Sequence, residues 1–275
     1  MICMGLQRFL YKVSAERRCN TAWTTFAFMS TVAVLSVAIL MVRRPPLERP
    51  ALLLTIAAVN SASFLVGTIT HMEALKWIPV VAAYTIIRLN VAVVVVFSIL
   101  VFGDRLSLNQ AIGIVLAIAV ILLLTRRSAG NEALRPHAPK GYALAFFSLL
   151  AGAVASVSSK YAAMYVDRLA FMAASYTLSA LLSLAIRNRL ASDFDRASGK
   201  TALSIGAVMG LINFAGYYAF LMALSLGPMS LVVPITGLHF IIAVLLAALI
   251  YHEKLTVTGI LAVFLAALTL FLLRT

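Results

Sequence analysis

ALKWIPVVAAYTIIRLN, Ala74 to Asn90, returns 149 residues later as ALSLGPMSLVVPITGLH, Ala223 to His239. Ala74 and Ala223, Leu75 and Leu224, Pro79 and Pro228, Ile86 and Ile235, and Leu89 and Leu238 coincide. Self-similarity at a fixed spacing marks a repeated structural unit, and the register continues outward in both directions. Gly67 falls on Gly216, and GDRLSLNQ (Gly103–Gln110) falls on HEKLTVTG (His252–Gly259), with Asp104 over Glu253 and Leu106 over Leu255. One residue of shift earlier, LYKVSA (Leu10–Ala15) lies over SSKYAA (Ser158–Ala163) and pairs Lys12 with Lys160. The chain is two similar halves, residues 1–125 and 140–275, joined by a connecting loop at 126–139 within RRSAGNEALRPHAPK.

Composition says what solvent these halves live in. Of 275 residues, 63% are hydrophobic and 11% charged, where a globular domain carries about a quarter of its residues as Asp, Glu, Lys and Arg. A hydrocarbon core about 30 Å thick takes roughly 20 apolar residues of helix. Charge-free apolar runs bounded by Pro, Gly or charge clusters predict spans at 21–42, 50–72, 78–102, 108–125, 140–164, 169–187, 201–224, 229–251 and 256–274. Residues 4–15 form a further, shorter apolar segment. The repeat pairs it with the span at 140–164, so the first helix reads as shortened at its N-terminus, and a misplaced start codon or a truncated gene is the expected cause. The fold predicted is therefore an all-α membrane protein of ten helices in two five-helix repeats. Five is odd, so the second repeat enters the bilayer in the opposite sense. Inverted repeats of this kind are a hallmark of secondary transporters, which bind substrate near the midplane between the repeats.

The net charge of +13 sits mostly in short connections, where topology and lipid headgroups explain it better than nucleic acid does. Cys3 and Cys19 have no CxxC spacing and no His beside them, so no disulfide framework, metal site or cofactor is called for. The first eighteen residues lack the pattern of a cleaved signal peptide.

The paired motifs ALKWIP and ALSLGP, with GDRLSLNQAIG (Gly103–Gly113) and HEKLTVTGILA (His252–Ala262), resemble the EamA-type branch of the drug/metabolite transporter superfamily and its G-E-x-L-T signature. The first copy has Asp104 for Glu, and the second has His252 for Gly. The resemblance implies two inverted five-helix repeats, alternating access through a central cavity, and export or exchange of small metabolites at a prokaryotic cytoplasmic (inner) membrane. It also implies cytoplasmic termini, whereas the charge bias points the other way. Twelve Lys or Arg residues (Arg17, Arg18, Lys76, Arg126, Arg127, Arg135, Lys140, Arg187, Arg189, Arg196, Lys200, Lys254) stand on one side, against six (Arg43, Arg44, Arg49, Arg105, Arg168, Arg274) on the other. With the first helix shortened, the family arrangement is the expectation.

Within the spans, Arg88 lies about 13–14 Å past Pro79 by helical rise, near the midplane. A central Arg costs about 3 to 15 kcal/mol and should face protein or water. None of the nine carboxylates (Glu16, Glu48, Glu73, Asp104, Glu132, Asp167, Asp193, Asp195, Glu253) is mid-span, so Arg88 is read as an anchor for an anionic substrate, its planar fork suiting a carboxylate or phosphate. The competing reading has carbonyls, Asn90, a nearby hydroxyl or Glu73 satisfy it. His239, the repeat partner of Asn90, is either a substrate or proton-coupling group or a histidine bonded to a neighbouring helix. Tyr84, Asn90, Asn213 and Tyr217 complete the expected substrate site, although helix-to-helix bonding is favoured for Asn213 and Tyr217. Lys160 is either a cavity-facing cation or, as its nearness to the helix end favours, a side chain snorkelling to the headgroups. Gly152, Gly206 and Gly210 are expected to permit close helix packing.

The expected function is transport of a small anionic or zwitterionic metabolite, with substrate and lipid as partners and a homodimer as the oligomer to test for. A non-transporting partner subunit is an alternative. A Ser156/Lys160 hydrolase is a weaker one, for the sequence has no GxSxG, no HExxH and no third group to orient the lysine, and the expectation is no enzyme.

Overall fold

The computed structural model describes residues 2–17, 19–78, 86–126, 138–186, 199–239, 242, 264, 265, 267–269 and 271–273. Among them there are helices and no strand. We number these α1 (Ile2–Glu16), α2 (Thr21–Arg43), α3 (Pro50–Trp77), α4 (Asn90–Phe97, continued as a π-wound turn over Ser98–Phe102), α5 (Leu108–Arg126), α6 (Ala138–Tyr165), α7 (Arg168–Ala185), α8 (Gly199–Leu226) and α9 (Met229–Gly237). Five described helices are long and apolar enough to cross a membrane: those at 22–43, 50–68, 139–165, 168–185 and 199–226. The spans read from the sequence thus fall on helices among the described residues, with a bend at Ile78 and turns at Leu89 and at Leu238 and His239 among the exceptions.

Local chemistry sets the ends. Asn20 caps α2 by accepting the Trp23 amide at 3.0 Å, and Asp167 caps α7 by accepting that of Ala170 at 2.8 Å. Pro50 opens α3, where its missing N–H costs nothing. Ser107 and Gln110 form a reciprocal capping box ahead of α5, with bonds of 3.1 and 3.2 Å. Gly103 ends the π-wound turn at φ 67°, a left-handed conformation open to glycine without strain, which accounts for the glycine of the G-D motif. Large apolar side chains such as Met41, Val42, Leu54, Leu100, Val115 and Phe147 are exposed, as the lipid-facing side of a bundle requires.

The contacts obey the duplication. α3 packs on α6, and its repeat counterpart is α8 on α1; α2 packs on α8, mirrored by α7 on α3; α2 also packs on α7, a pair that maps onto itself. Every one of these contacts joins opposite repeats. Close approach of α2 and α8 depends on Gly206 and Gly210: a Cβ on Gly206 would overlap the Thr24 carbonyl, and one on Gly210 would stand 2.6 Å from the Thr31 Cβ. Phe28, Met29 and Val32 of α2 fill the resulting core with Phe171 and Met172 of α7 and Met209 of α8.

Candidate functional site

The two segments that announced the repeat are helices broken at equivalent places. In the first repeat the Leu89 amide bonds the Ile86 carbonyl at 3.0 Å, and in the second the Leu238 amide bonds the Ile235 carbonyl at 3.3 Å. Both close three residues back instead of four, and Leu89 and Leu238 are the same position of the duplicated unit. Ala92 bonds Leu89 at 3.0 Å, His239 bonds Thr236 at 3.1 Å, and Ile242 bonds His239 at 3.2 Å, so the tight winding extends beyond one residue. Pro234 has no N–H to offer the Ser230 carbonyl one turn back. Tight turns inside a span free backbone polar groups that hydrocarbon cannot satisfy, so such breaks persist only against protein or water.

Each break is covered by a small residue of the opposite repeat. A Cβ on Gly152 of α6 would sit 2.8 Å from the Asn90 side-chain amide, and one on Gly5 of α1 would sit 2.7 Å from the His239 carbonyl. The two glycines are one residue out of repeat register and do the same thing: they let the first helix of one repeat lie directly on the broken helix of the other. Arg88 is half-buried in the turn of the first break. His239 is buried in the second, its Nδ1 2.5 Å from the Thr236 carbonyl. A carbonyl only accepts, so Nδ1 donates to Thr236 and carries the proton. Tyr84 and the Glu73 side chain lie outside the described residues.

Asn213 and Tyr217 belong to a different arrangement. The Asn213 amide donates to Gln7 of α1 at 2.8 Å, and its carbonyl accepts from Tyr176 of α7 at 2.7 Å. Tyr217 shares a 2.9 Å bond with Ser159 of α6. Asn60 extends the network: its amide donates to the Ala155 carbonyl and the Ser158 hydroxyl at 2.9 Å, and its oxygen accepts from Ser175 at 3.0 Å. These residues bond helix to helix, the reading favoured for Asn213 and Tyr217 from the sequence.

Lys160 does not snorkel. Its exposure is 7%, and its ammonium donates to the carbonyls of Leu224 at 2.6 Å and Gly227 at 3.0 Å, where α8 ends. The α6 terminus lies against another helix's elbow, so the nearest acceptors are carbonyls instead of headgroups. Ser156 donates to its own helix at the Gly152 carbonyl, 3.0 Å away, so neither member of the supposed hydrolase pair is directed at the other. Sequence reasoning passed over Asp104, whose Oδ2 accepts from the Ser230 amide at 3.0 Å and from the hydroxyls of Ser230 and Ser98 at 2.6 and 2.5 Å. Its register with Glu253 was the signal that could have singled it out.

Interlocked inverted repeats with paired breaks in equivalent spans are an arrangement found among membrane transporters. The EamA-like transporter family model matches residues 1–126 and 139–275, and the chain belongs to that family. It is an integral membrane protein of a family whose members are transporters, not enzymes. A solved crystal structure superposes at TM-score 0.79 and 17% identity, covering 98% of this chain and 95% of that one; at that identity the likeness speaks for the fold. No curated protein matches.

Proposed function

We propose that the protein carries a small anionic or zwitterionic metabolite across a prokaryotic inner membrane by alternating access, without catalysing a reaction. The observation behind this reading is the pair of repeat-equivalent helix breaks at Leu89 and Leu238. Discontinuous spans place backbone dipoles and polar side chains at mid-membrane depth, where carriers bind substrate. Arg88 stands in one break and His239 in the other. The guanidinium keeps its charge at any physiological pH and offers a bidentate fork to carboxylate or phosphate. His239, its Nδ1 held by Thr236, accepts a substrate hydrogen bond when neutral and donates one when protonated. Asn90, against Gly152, and Tyr84 complete the proposed first contacts. Asn213 and Tyr217 act one step removed, by fixing α8 to α1, α6 and α7. The functional unit is one chain, with a homodimer as the assembly to test for, and the orientation is the family's, with the termini cytoplasmic.

The test is thermal unfolding of the purified protein against carboxylates, phosphate esters and amino acids, since a ligand that binds only the folded form raises the midpoint. At least one anionic compound should stabilise the wild type, and the shift should vanish in Arg88→Ala. A panel without effect on the wild type, or a shift that survives in the variant, would remove Arg88 from the site.

A further inference from the structure

The elbow between α8 and α9 is gripped from two directions by opposite charges. The last carbonyls of α8 carry partial negative charge and the first amides of α9 partial positive charge. Lys160 of the second repeat binds the carbonyls of Leu224 and Gly227. Asp104, from the first repeat, takes the Ser230 amide and hydroxyl together with the Ser98 hydroxyl on its one oxygen Oδ2. The two charged groups lie within each other's field. Phe102 of the first repeat closes the arrangement: its ring centroid is 5.9 Å from the Lys160 ammonium and 5.3 Å from that of Tyr161.

We infer that Asp104 and Lys160 form a latch that shuts this end of the molecule, the end bearing Arg43, Arg49, Arg105 and Arg168, and that its release opens that end. This rests on the alternating-access reading. Three features make the arrangement a latch and not a brace. All of Asp104's bonds across the repeat boundary converge on one oxygen, so a single displacement breaks them together. The backbone on both sides is irregular, a π-wound turn ending in left-handed Gly103 on one and the Gly227–Pro228 elbow on the other, and π turns concentrate at functional sites. Finally, the Lys160 ammonium has Asp104 as an alternative partner when the carbonyls move away, so a buried charge need not be stranded.

Hydrogen–deuterium exchange of the full chain in lipid nanodiscs tests this without any substrate. Exchange at 98–104 and 224–232 should be slow in the wild type. Asp104→Ala should speed it roughly tenfold or more, as expected for loss of a charge-assisted bond, and should slow exchange at the opposite end, in the α1–α2 connection. Asp104→Glu should keep the wild-type pattern. Should Asp104→Ala fail to fold, Ser230→Ala, which removes one of the three donors, should give the same pattern at smaller amplitude. Unchanged exchange, or loosening at both ends alike, overturns the latch, the second result marking a mere scaffold. If the exchange pattern holds in a protein that transports nothing, it is the carrier reading that fails.

Discussion

At the scale of residues, the polar groups inside this bundle divide into those that fasten helices and those that stand at breaks. Asn60 fastens: replacing it with Ala removes bonds to α6 and α7 at once. We expect a loss of about 1–2 kcal/mol in unfolding free energy, the upper range for hydrogen bonds between membrane helices, measurable by denaturation in mixed micelles. Asp104 lies just beyond the π-wound turn. Burial pushes the carboxyl up, but the Ser230 and Ser98 hydroxyls, the Ser230 amide and the Lys160 charge outweigh it and hold the group below the ordinary value of 3.8. A lowered native pKa means that the stabilisation is complete above about 4 and is lost as the pH falls through the native value. The wild-type melting temperature should therefore carry an acid-side decline that Asp104→Asn lacks, and no dependence near neutrality should trace to this residue. Lys160 marks where sequence reading stopped short. Its distance from the helix end was legible, but whether headgroups or the end of α8 lay beyond it depends on packing between repeats.

Elements were the most legible scale. In lipid a span must satisfy its own backbone, so a charge-free apolar run of sufficient length reads as a helix with little ambiguity, and the register of the duplication then fixed which helices correspond. The breaks were half legible. Pro234 is a visible cause of one, but nothing in TIIRLN signals the closure of Leu89 on the carbonyl three residues back, beside which α6 lies at Gly152. Pro234→Ala returns an amide to the Ser230 carbonyl; the unfolding temperature should rise while transport slows, because the helix gains a bond and loses its break. Gly210→Val places a side chain where Thr31 already stands, and overpacking of this kind costs about 1–3 kcal/mol, to be seen as a lowered melting temperature with the helical circular dichroism retained.

For the whole molecule, the duplication governs the packing. Among the described helices contacts run almost wholly between repeats, so a change at one end is felt by both. The sequence register pairs Lys12 with Lys160 and Glu253 with Asp104. Lys160→Met and Asp104→Asn, and with them Lys12→Met and Glu253→Gln, are thus expected to impair transport, a comparison that flux assays settle directly. The substrate itself was never legible, because anion chemistry defines a class and the shape of the cavity selects within it. The most direct measurement is uptake of the stabilising anions by the purified protein in sealed vesicles, wild type against Arg88→Ala. Saturable uptake by the wild type that falls about tenfold or more in the variant, with unfolding temperature preserved, is the predicted result; undiminished uptake by Arg88→Ala would contradict the claim that the paired breaks hold the substrate.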